Sequence, residues 1–285
     1  MTDQSNSPKH GALASPTPPP GVAADWTVPQ KWDELTAVDH QVWDTLFARQ
    51  RTLLHGKATA SFEEGLDVLR LSHPGVPDLE ELNERLHQCS NWTVVPVPGV
   101  VPDDVFFKHL SERRFPAGNF IRKPDQLDYL EEPDVFHDVF GHVPMLAQPE
   151  VADFMQALGH LGLEATEHGA LDRLARLYWY TVEFGLCRED GALKIYGAGI
   201  LSSFGEAHYS LESELPKRFG FDLKRVLRTR YRTDAFQQNY FVIDRFSDVL
   251  DLVQRNDLAA IYAELDQLPV IDPGMVDPAD RLLAA

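Results

Sequence analysis

Two histidines five residues apart and one carboxylate inside an apolar helix are the side chains of this sequence best suited to chemistry. His137 and His142 lie in PDVFHDVFGHVP, 133–144, with Gly141 just before the second histidine and Pro144 two residues after it. On an unbroken α-helix, positions i and i+5 stand about 140° apart. The pair therefore converges only where the helix ends or distorts, and Gly141 and Pro144 are residues that allow an ending. Taken alone, such a pair is better explained as two ordinary polar residues near a helix terminus. It is not the HExxH zinc signature, whose i, i+4 histidines share one face. The carboxylate is Glu183, near the centre of LARLYWYTVEFGLC, 174–187, which reads as a helix apolar nearly all round. An ionised carboxylate buried there needs a cation, strong donors or a metal, or it takes up a proton. A salt bridge to Arg176 or Arg188 is the ordinary alternative. Two neutral imidazoles and one carboxylate form the facial triad that leaves open positions on Fe(II) for oxygen and substrate chemistry. Iron is preferred because no dedicated base stands in the register a zinc hydrolase needs, with zinc, manganese and cobalt left open.

The elements that must position these residues are mostly helical. Segment 61–71 opens with the capping pattern Ser61 to Glu64 and carries Phe62, Leu66 and Leu69 at helical spacing. Segment 78–88 has Asp78 as cap and Leu79, Leu82 and Leu86 on one stripe. Helices are also predicted over 39–54, 103–113, 149–163, 170–187, 222–229 and 247–267, each bounded by Pro, Gly or a capping residue, and short strands over 92–97, 193–197 and 239–243. The fold class expected is mainly α with a few short β-strands (α+β), built as a single catalytic domain over 26–270. Residues 1–25, with SPTPPPG at 15–21, are expected to form a disordered N-terminal tail, and 271–285, with two Asp-Pro turn signals, a C-terminal tail that frays. The GAGI at 197–200 lacks the third glycine of a dinucleotide loop, which sets NAD and ATP aside.

Composition narrows the classes further. A formal charge of −18 repels phosphate backbones, and basic residues gather only in small groups such as Arg228, Arg230 and Arg232, so nucleic acid is an unsuited partner. No apolar run approaches the roughly 18 residues of a membrane span, and the N-terminus lacks the pattern of a secretory signal, so no membrane partner and a cytoplasmic location are expected. Cys89 and Cys187 are the two cysteines, far apart and in no CxxC, which excludes a thiolate zinc site or an iron–sulfur cluster. At 285 residues the chain can bury a core without staples, so a metal here serves chemistry rather than folding.

Six motifs in order, VPGVVPDDVFF, RRFP, IRKPDQLDYLEEPDVFHDVFGHVP, ARLYWYTVEFGL, IYGAGILSSFGE and TRYRTDAFQQNYFVI, resemble the catalytic domain of the biopterin-dependent aromatic amino acid hydroxylases, and the likeness runs from about 26 to 250. The resemblance implies Fe(II) held by His137, His142 and Glu183, in agreement with the triad read from the residues. It further implies a tetrahydropterin, tetrahydrobiopterin or a relative, lying along Gly99, Val100, Val101, Asp103 and Phe106, with the Phe106 ring stacked on it. It maps a carboxylate clamp to Arg122, a nearby serine to Ser202, and the walls of the aromatic pocket to Pro133 and Trp179. Small-molecule partners follow: L-phenylalanine, O2 and the tetrahydropterin, with hydroxylation of phenylalanine at ring position 4 expected because compact members without regulatory extensions resemble the bacterial phenylalanine enzymes. Tyrosine or tryptophan hydroxylation is the near alternative, and a metal-dependent hydrolase or a non-catalytic binding protein the remote ones. Two departures are recorded: Leu130 stands where animal members have threonine, and Asp138 where they have glutamate. With no regulatory domain and no heptad helix, a monomer is expected.

Overall fold

The computed structural model describes residues 17–283 apart from 129 and 131, so most of the predicted N-terminal tail lies outside the described residues. The first helix, α1 (Ala37–Leu54), starts where Thr36 and Asp39 cap each other reciprocally, and it turns Val42, Trp43, Leu46 and Leu54 into the core. Next come α2 (Ala60–Val68) and α3 (Leu79–Ser90), the latter capped by the Asp78 side chain on the Glu80 N–H. A parallel pair follows, β1 (Thr93–Val97) and β2 (Arg114–Gly118), in register from Thr93 against Arg114 to Val97 against Gly118. Parallel strands need a crossover, and here it is α4 (Asp103–Ser111). Gly99–Phe106 therefore leaves the carboxyl end of β1, where open parallel sheets place ligand segments.

Both site-bearing segments are helical with a widened turn. Phe136–His142 is a π-helical stretch that runs on into α5 (Val143–Leu146). After α6 (Pro149–Glu167), α7 (Leu171–Tyr178) passes without a break into a second π-helical turn, Trp179–Glu183. The second sheet has the order β4-β3-β6-β5, from β3 (Leu186–Glu189), β4 (Ala192–Ile195), β5 (Lys217–Gly220) and β6 (Asn239–Ile243). Its β3–β4 pair is antiparallel and the other two pairs parallel. The remaining helices are α8 (Ala198–Leu201), α9 (Phe204–Glu212), α10 (Leu223–Arg228), α11 (Phe246–Arg255) and α12 (Leu258–Leu265). Among the described residues no helix is long and apolar enough to cross a membrane.

The predominantly helical class with a few short strands is the class observed. Several details differ from expectation, among them the helix predicted over 170–187, which ends at Glu183 and gives way to β3 from Leu186. The helix predicted over 247–267 is two helices, because Asp257 caps a new start by accepting the Ala260 N–H. Strands β2, β3 and β5 are four or five residues long, and their one-sided or irregular burial gives no clean alternation to read. The segment expected to fray from 272 is instead fastened. Asp280 pairs with Arg225 at 2.7 Å, both side chains almost fully buried, while the Arg281 carbonyl accepts from Gly220 N–H and Leu283 N–H donates to Arg218 O. A buried guanidinium is unfavourable unless it is paired or hydrogen-bonded, and Asp280 supplies the counter-ion for Arg225.

Candidate metal centre

The π-helical stretch resolves the spacing of the two histidines. With i→i+5 hydrogen bonding, residues five apart come to one face, so His137 and His142 face the same way without an ending between them. Their Nε2 atoms are 3.4 Å apart. Gly141 is therefore not a terminator; a Cβ there would come within 2.9 Å of the Ala198 carbonyl, so glycine lets α8 pack against the stretch. Glu183 ends the second π-helical turn, which the Phe184 N–H closes onto the Trp179 carbonyl five residues back. Its carboxylate reaches both rings, Oε1 at 3.1 Å from His142 Nε2 and Oε2 at 3.6 Å from His137 Nε2. One ligand atom from each residue lies within 4.8 Å of the others. The alternative partners face elsewhere: Arg176 donates to the Leu227 carbonyl, and Arg188 stands 3.9 Å from Asp244.

Neighbouring groups set the state of these ligands. Ser202 Oγ is 2.8 Å from the Ala198 carbonyl and 2.8 Å from His137 Nδ1. A carbonyl can only accept, so the hydroxyl proton goes to Ala198 and the serine oxygen accepts from Nδ1–H. That fixes the tautomer of His137 with its Nε2 lone pair toward the other ligands. Burial lowers the His137 imidazole to about 4, so the ring is neutral and free to ligate at neutral pH. Asp134, which the sequence reading did not single out, accepts the His137 N–H at 3.0 Å and both the Arg122 Nε and Nη2 groups at 2.8 Å. Its carboxyl is buried, which alone would raise it; the Arg122 hydrogen bond and charge hold it below the usual range. Asp138 accepts the Gly118 N–H at 2.7 Å, and its desolvated carboxyl is pushed up to about 7.

The expected pterin and substrate residues surround this cluster to different degrees. Phe106 is half-buried on α4, edge-on to Tyr178 at 5.4 Å, and Tyr178 in turn lies over the His142 ring at 6.5 Å. Phe106 thus joins the β1 crossover to a metal-ligand helix. Val101 is buried with Trp26 and Val97, whereas Val100 is 41% exposed and Gly99 faces the Glu132 carboxylate. Asp103 opens α4. Arg122 is buried beside Asp134 rather than solvated, and Pro133, one residue before that aspartate, is exposed. Trp179 stacks on Tyr231 at 4.2 Å and donates its indole N–H to Gln237 Oε1 at 2.9 Å. Tyr178, Gln237 and Glu206 were not picked out from sequence. Of these only Glu206 carried a signal, as the lone charge in IYGAGILSSFGE.

The donor set fits a divalent iron. Two ring nitrogens and one carboxylate oxygen converge from helical turns, a donor set that on iron leaves positions for further ligands. The same set suits cobalt and zinc, and selects strongly against a thiolate-preferring ion.

The family model described as biopterin-dependent aromatic amino acid hydroxylase matches residues 27–261. A phenylalanine-4-hydroxylase of Caulobacter vibrioides is 54% identical over 266 residues, 93% of this chain and 90% of that protein. Among solved structures, the phenylalanine hydroxylase of Chromobacterium violaceum bound to cobalt superposes with a TM-score of 0.89 at 50% identity, covering 92% of this chain and 94% of that one. Its iron- and phenylalanine-bound form superposes at 0.87 with 49% identity, covering 92% and 95%.

Proposed function

Since the chain belongs to the biopterin-dependent aromatic amino acid hydroxylases, we propose that it converts L-phenylalanine to L-tyrosine, using O2 and a tetrahydropterin at Fe(II) held by His137, His142 and Glu183. The observation that carries this reading is the convergence of those three ligands from two π-helical turns onto one point. When bound, the iron and the tetrahydropterin together supply the activation of O2 that side chains cannot. Everything else falls to the protein. Ser202 holds His137 in the ligating tautomer. Arg122 has Nε and Nη2 committed to Asp134, and its Nη1, 3.5 Å from the Leu127 carbonyl, is the more weakly engaged donor available to a free α-carboxylate. Asp134 thus orients the clamp and, through the His137 N–H, the first ligand together.

Phe106 supplies an aromatic surface for the flat pterin along the Gly99–Phe106 segment, and Trp179 with Pro133 bounds the amino acid's ring; the half-burial of Phe106 and the rigid clasp around Trp179 support these roles. Excluding water and holding the ring near the metal is the positioning contribution of the fold. We also propose a monomer, and a location in the cytoplasm, the latter supported by two unpaired cysteines.

The test is anaerobic reconstitution with Fe(II), then addition of O2, a tetrahydropterin and each of phenylalanine, tyrosine and tryptophan in turn. Iron- and pterin-dependent tyrosine from phenylalanine is the expected product. Absence of tyrosine from a protein with verified iron content would overturn the substrate, and hydroxylation of one of the other two amino acids would replace it. Glu183→Ala should lose both bound iron and turnover.

A further inference from the structure

The short segment from Ser202 to Glu206 reaches His137 at one end and, through Gln237, the indole of Trp179 at the other. Glu206 sits in the first turn of α9, 4% exposed. Its Oε1 accepts the Gln237 N–H at 2.9 Å and also the Tyr240 hydroxyl. Gln237 is itself 3% exposed, and both ends of its side-chain amide are committed. The Oε1 accepts from Trp179 Nε1 at 2.9 Å, and Nε2 donates to the Arg232 carbonyl at 2.7 Å. An indole N–H can only donate and a carbonyl can only accept, so the amide has one permitted orientation. Tyr231, at the start of the same loop, stacks on the indole with planes 14° apart. Residues 231–237 therefore grip Trp179 at both ends, and Glu206 ties the far end of that grip to α9.

From this geometry we propose that Glu206 is a positioning residue for the aromatic substrate ring: it fixes Gln237, and Gln237 fixes the plane of the Trp179 indole. The proposal rests on the reading that Trp179 bounds the ring pocket. It explains why a carboxylate occupies a site where burial disfavours charge: two donors from different elements, Gln237 N–H and Tyr240 O–H, must share one acceptor. Burying the group without those donors would be unfavourable, and leaving the donors without it would free the loop. The residue touches no reacting atom in this scheme; its effect passes through the indole.

The experiment uses the iron-loaded enzyme and compares Glu206→Gln, Glu206→Leu, Trp179→Phe and the double variant Glu206→Leu/Trp179→Phe. The readouts are KM for phenylalanine, KM for the tetrahydropterin, and tyrosine formed per tetrahydropterin oxidised. A glutamine can accept both hydrogen bonds, so Glu206→Gln should keep both KM values within about twofold. Glu206→Leu should raise the phenylalanine KM roughly tenfold and lower the tyrosine yield per pterin, with the pterin KM unmoved. In the Trp179→Phe background the leucine should add little, because the link has already been cut. Where Glu206→Leu does not fold, Gln237→Leu cuts the next link, the amide on the indole, while the carboxylate keeps the residue 237 N–H, and it should show the same non-additivity with Trp179→Phe.

Effects of Glu206→Leu and Trp179→Phe that multiply, or a Glu206→Gln as damaged as Glu206→Leu, would overturn the proposal. An unaltered phenylalanine KM in Trp179→Phe would remove Trp179 from the ring pocket, and this inference with it. A clear effect of Trp179→Phe with none from Glu206→Leu or Gln237→Leu would remove the Glu206 role alone.

Discussion

At the scale of single residues, the groups behind the ligands decide how the ligands behave. Ser202 accepts from His137 Nδ1, so Ser202→Ala leaves the ring free to adopt the wrong tautomer or to turn. Iron affinity should fall roughly 10–100-fold, measured by competition with a chelator, while the circular dichroism of the protein stays unchanged. Equal affinity in the variant would mean that packing alone orients the ring. Glu206 gives a pH prediction with a definite sign. Burial raises its carboxyl from an ordinary 4.5 to about 7, so between those values the folded state holds more protons than the unfolded one. Stability from this group is then lost as pH rises through that window. Relative to Glu206→Gln, the unsubstituted protein should lose about 2–3 kcal/mol between pH 5 and pH 8, measured by urea unfolding of both proteins. A constant difference across that range would show the carboxyl to be unshifted. The three ligands were legible because each is chemically odd where it stands: two histidines in a tight spacing and a carboxylate among aromatics. Asp134 and Gln237 were not, because their importance lies in partners 12 and 58 residues away, which no local pattern reveals.

At the scale of elements, the site depends on two widened turns and on helices that approach unusually closely. The sequence called for a distortion between His137 and His142, and the distortion proved to be a π-helical stretch running on into α5 rather than an end at Gly141. A wider helical turn keeps the backbone hydrogen-bonded through the ligand pair, which an ending would not. One such approach is between α4, which carries Phe106, and α6. A Cβ on Gly159 would lie 2.2 Å from the Ser111 backbone nitrogen, and one on Gly162 would lie 2.1 Å from the Phe107 ring. Gly159→Ala meets backbone that cannot swing aside, so it should destabilise by about 1–3 kcal/mol despite the better helix propensity of alanine. Thermal melting checks this, and an unchanged or raised Tm would show that α4 shifts to make room. Because α4 also carries the expected pterin segment, the same variant should raise the tetrahydropterin KM more than that of phenylalanine. Helices α1, α3 and α6 could be anticipated from caps and apolar stripes. The strands β2 and β5 could not, since each exists by pairing with a distant partner, and β3 was hidden at the end of the apolar run read as the 170–187 helix.

At the scale of the whole molecule, the C-terminal segment is a strap over the second sheet. Arg225 gives Nε and Nη2 to Asp280, Nη1 to Thr229 and a further hydrogen bond to the Met275 carbonyl, and its guanidinium lies over Phe219 at 5.1 Å. Asp280→Asn leaves that charge buried without its counter-ion and should lower stability by roughly 3–5 kcal/mol, read as a shift of the urea midpoint. Replacing both partners, Arg225→Met with Asp280→Leu, should recover most of the loss; a double variant as unstable as the single would show that the strap matters through its backbone contacts instead. The strap escaped anticipation because Asp-Pro turns and sparse apolar residues describe a fraying tail and a surface strap alike. Its position also bears on the order in which the protein is made. Asp280 leaves the ribosome 55 residues after the arginine it neutralises, behind β6 and both closing helices. At about 5–20 residues per second, the guanidinium waits several seconds without its carboxylate. Because β6 joins β3 to β5, the second sheet can pair as a whole only once residues 239–243 have emerged, and the Asp280 strap is then the last piece to close over it.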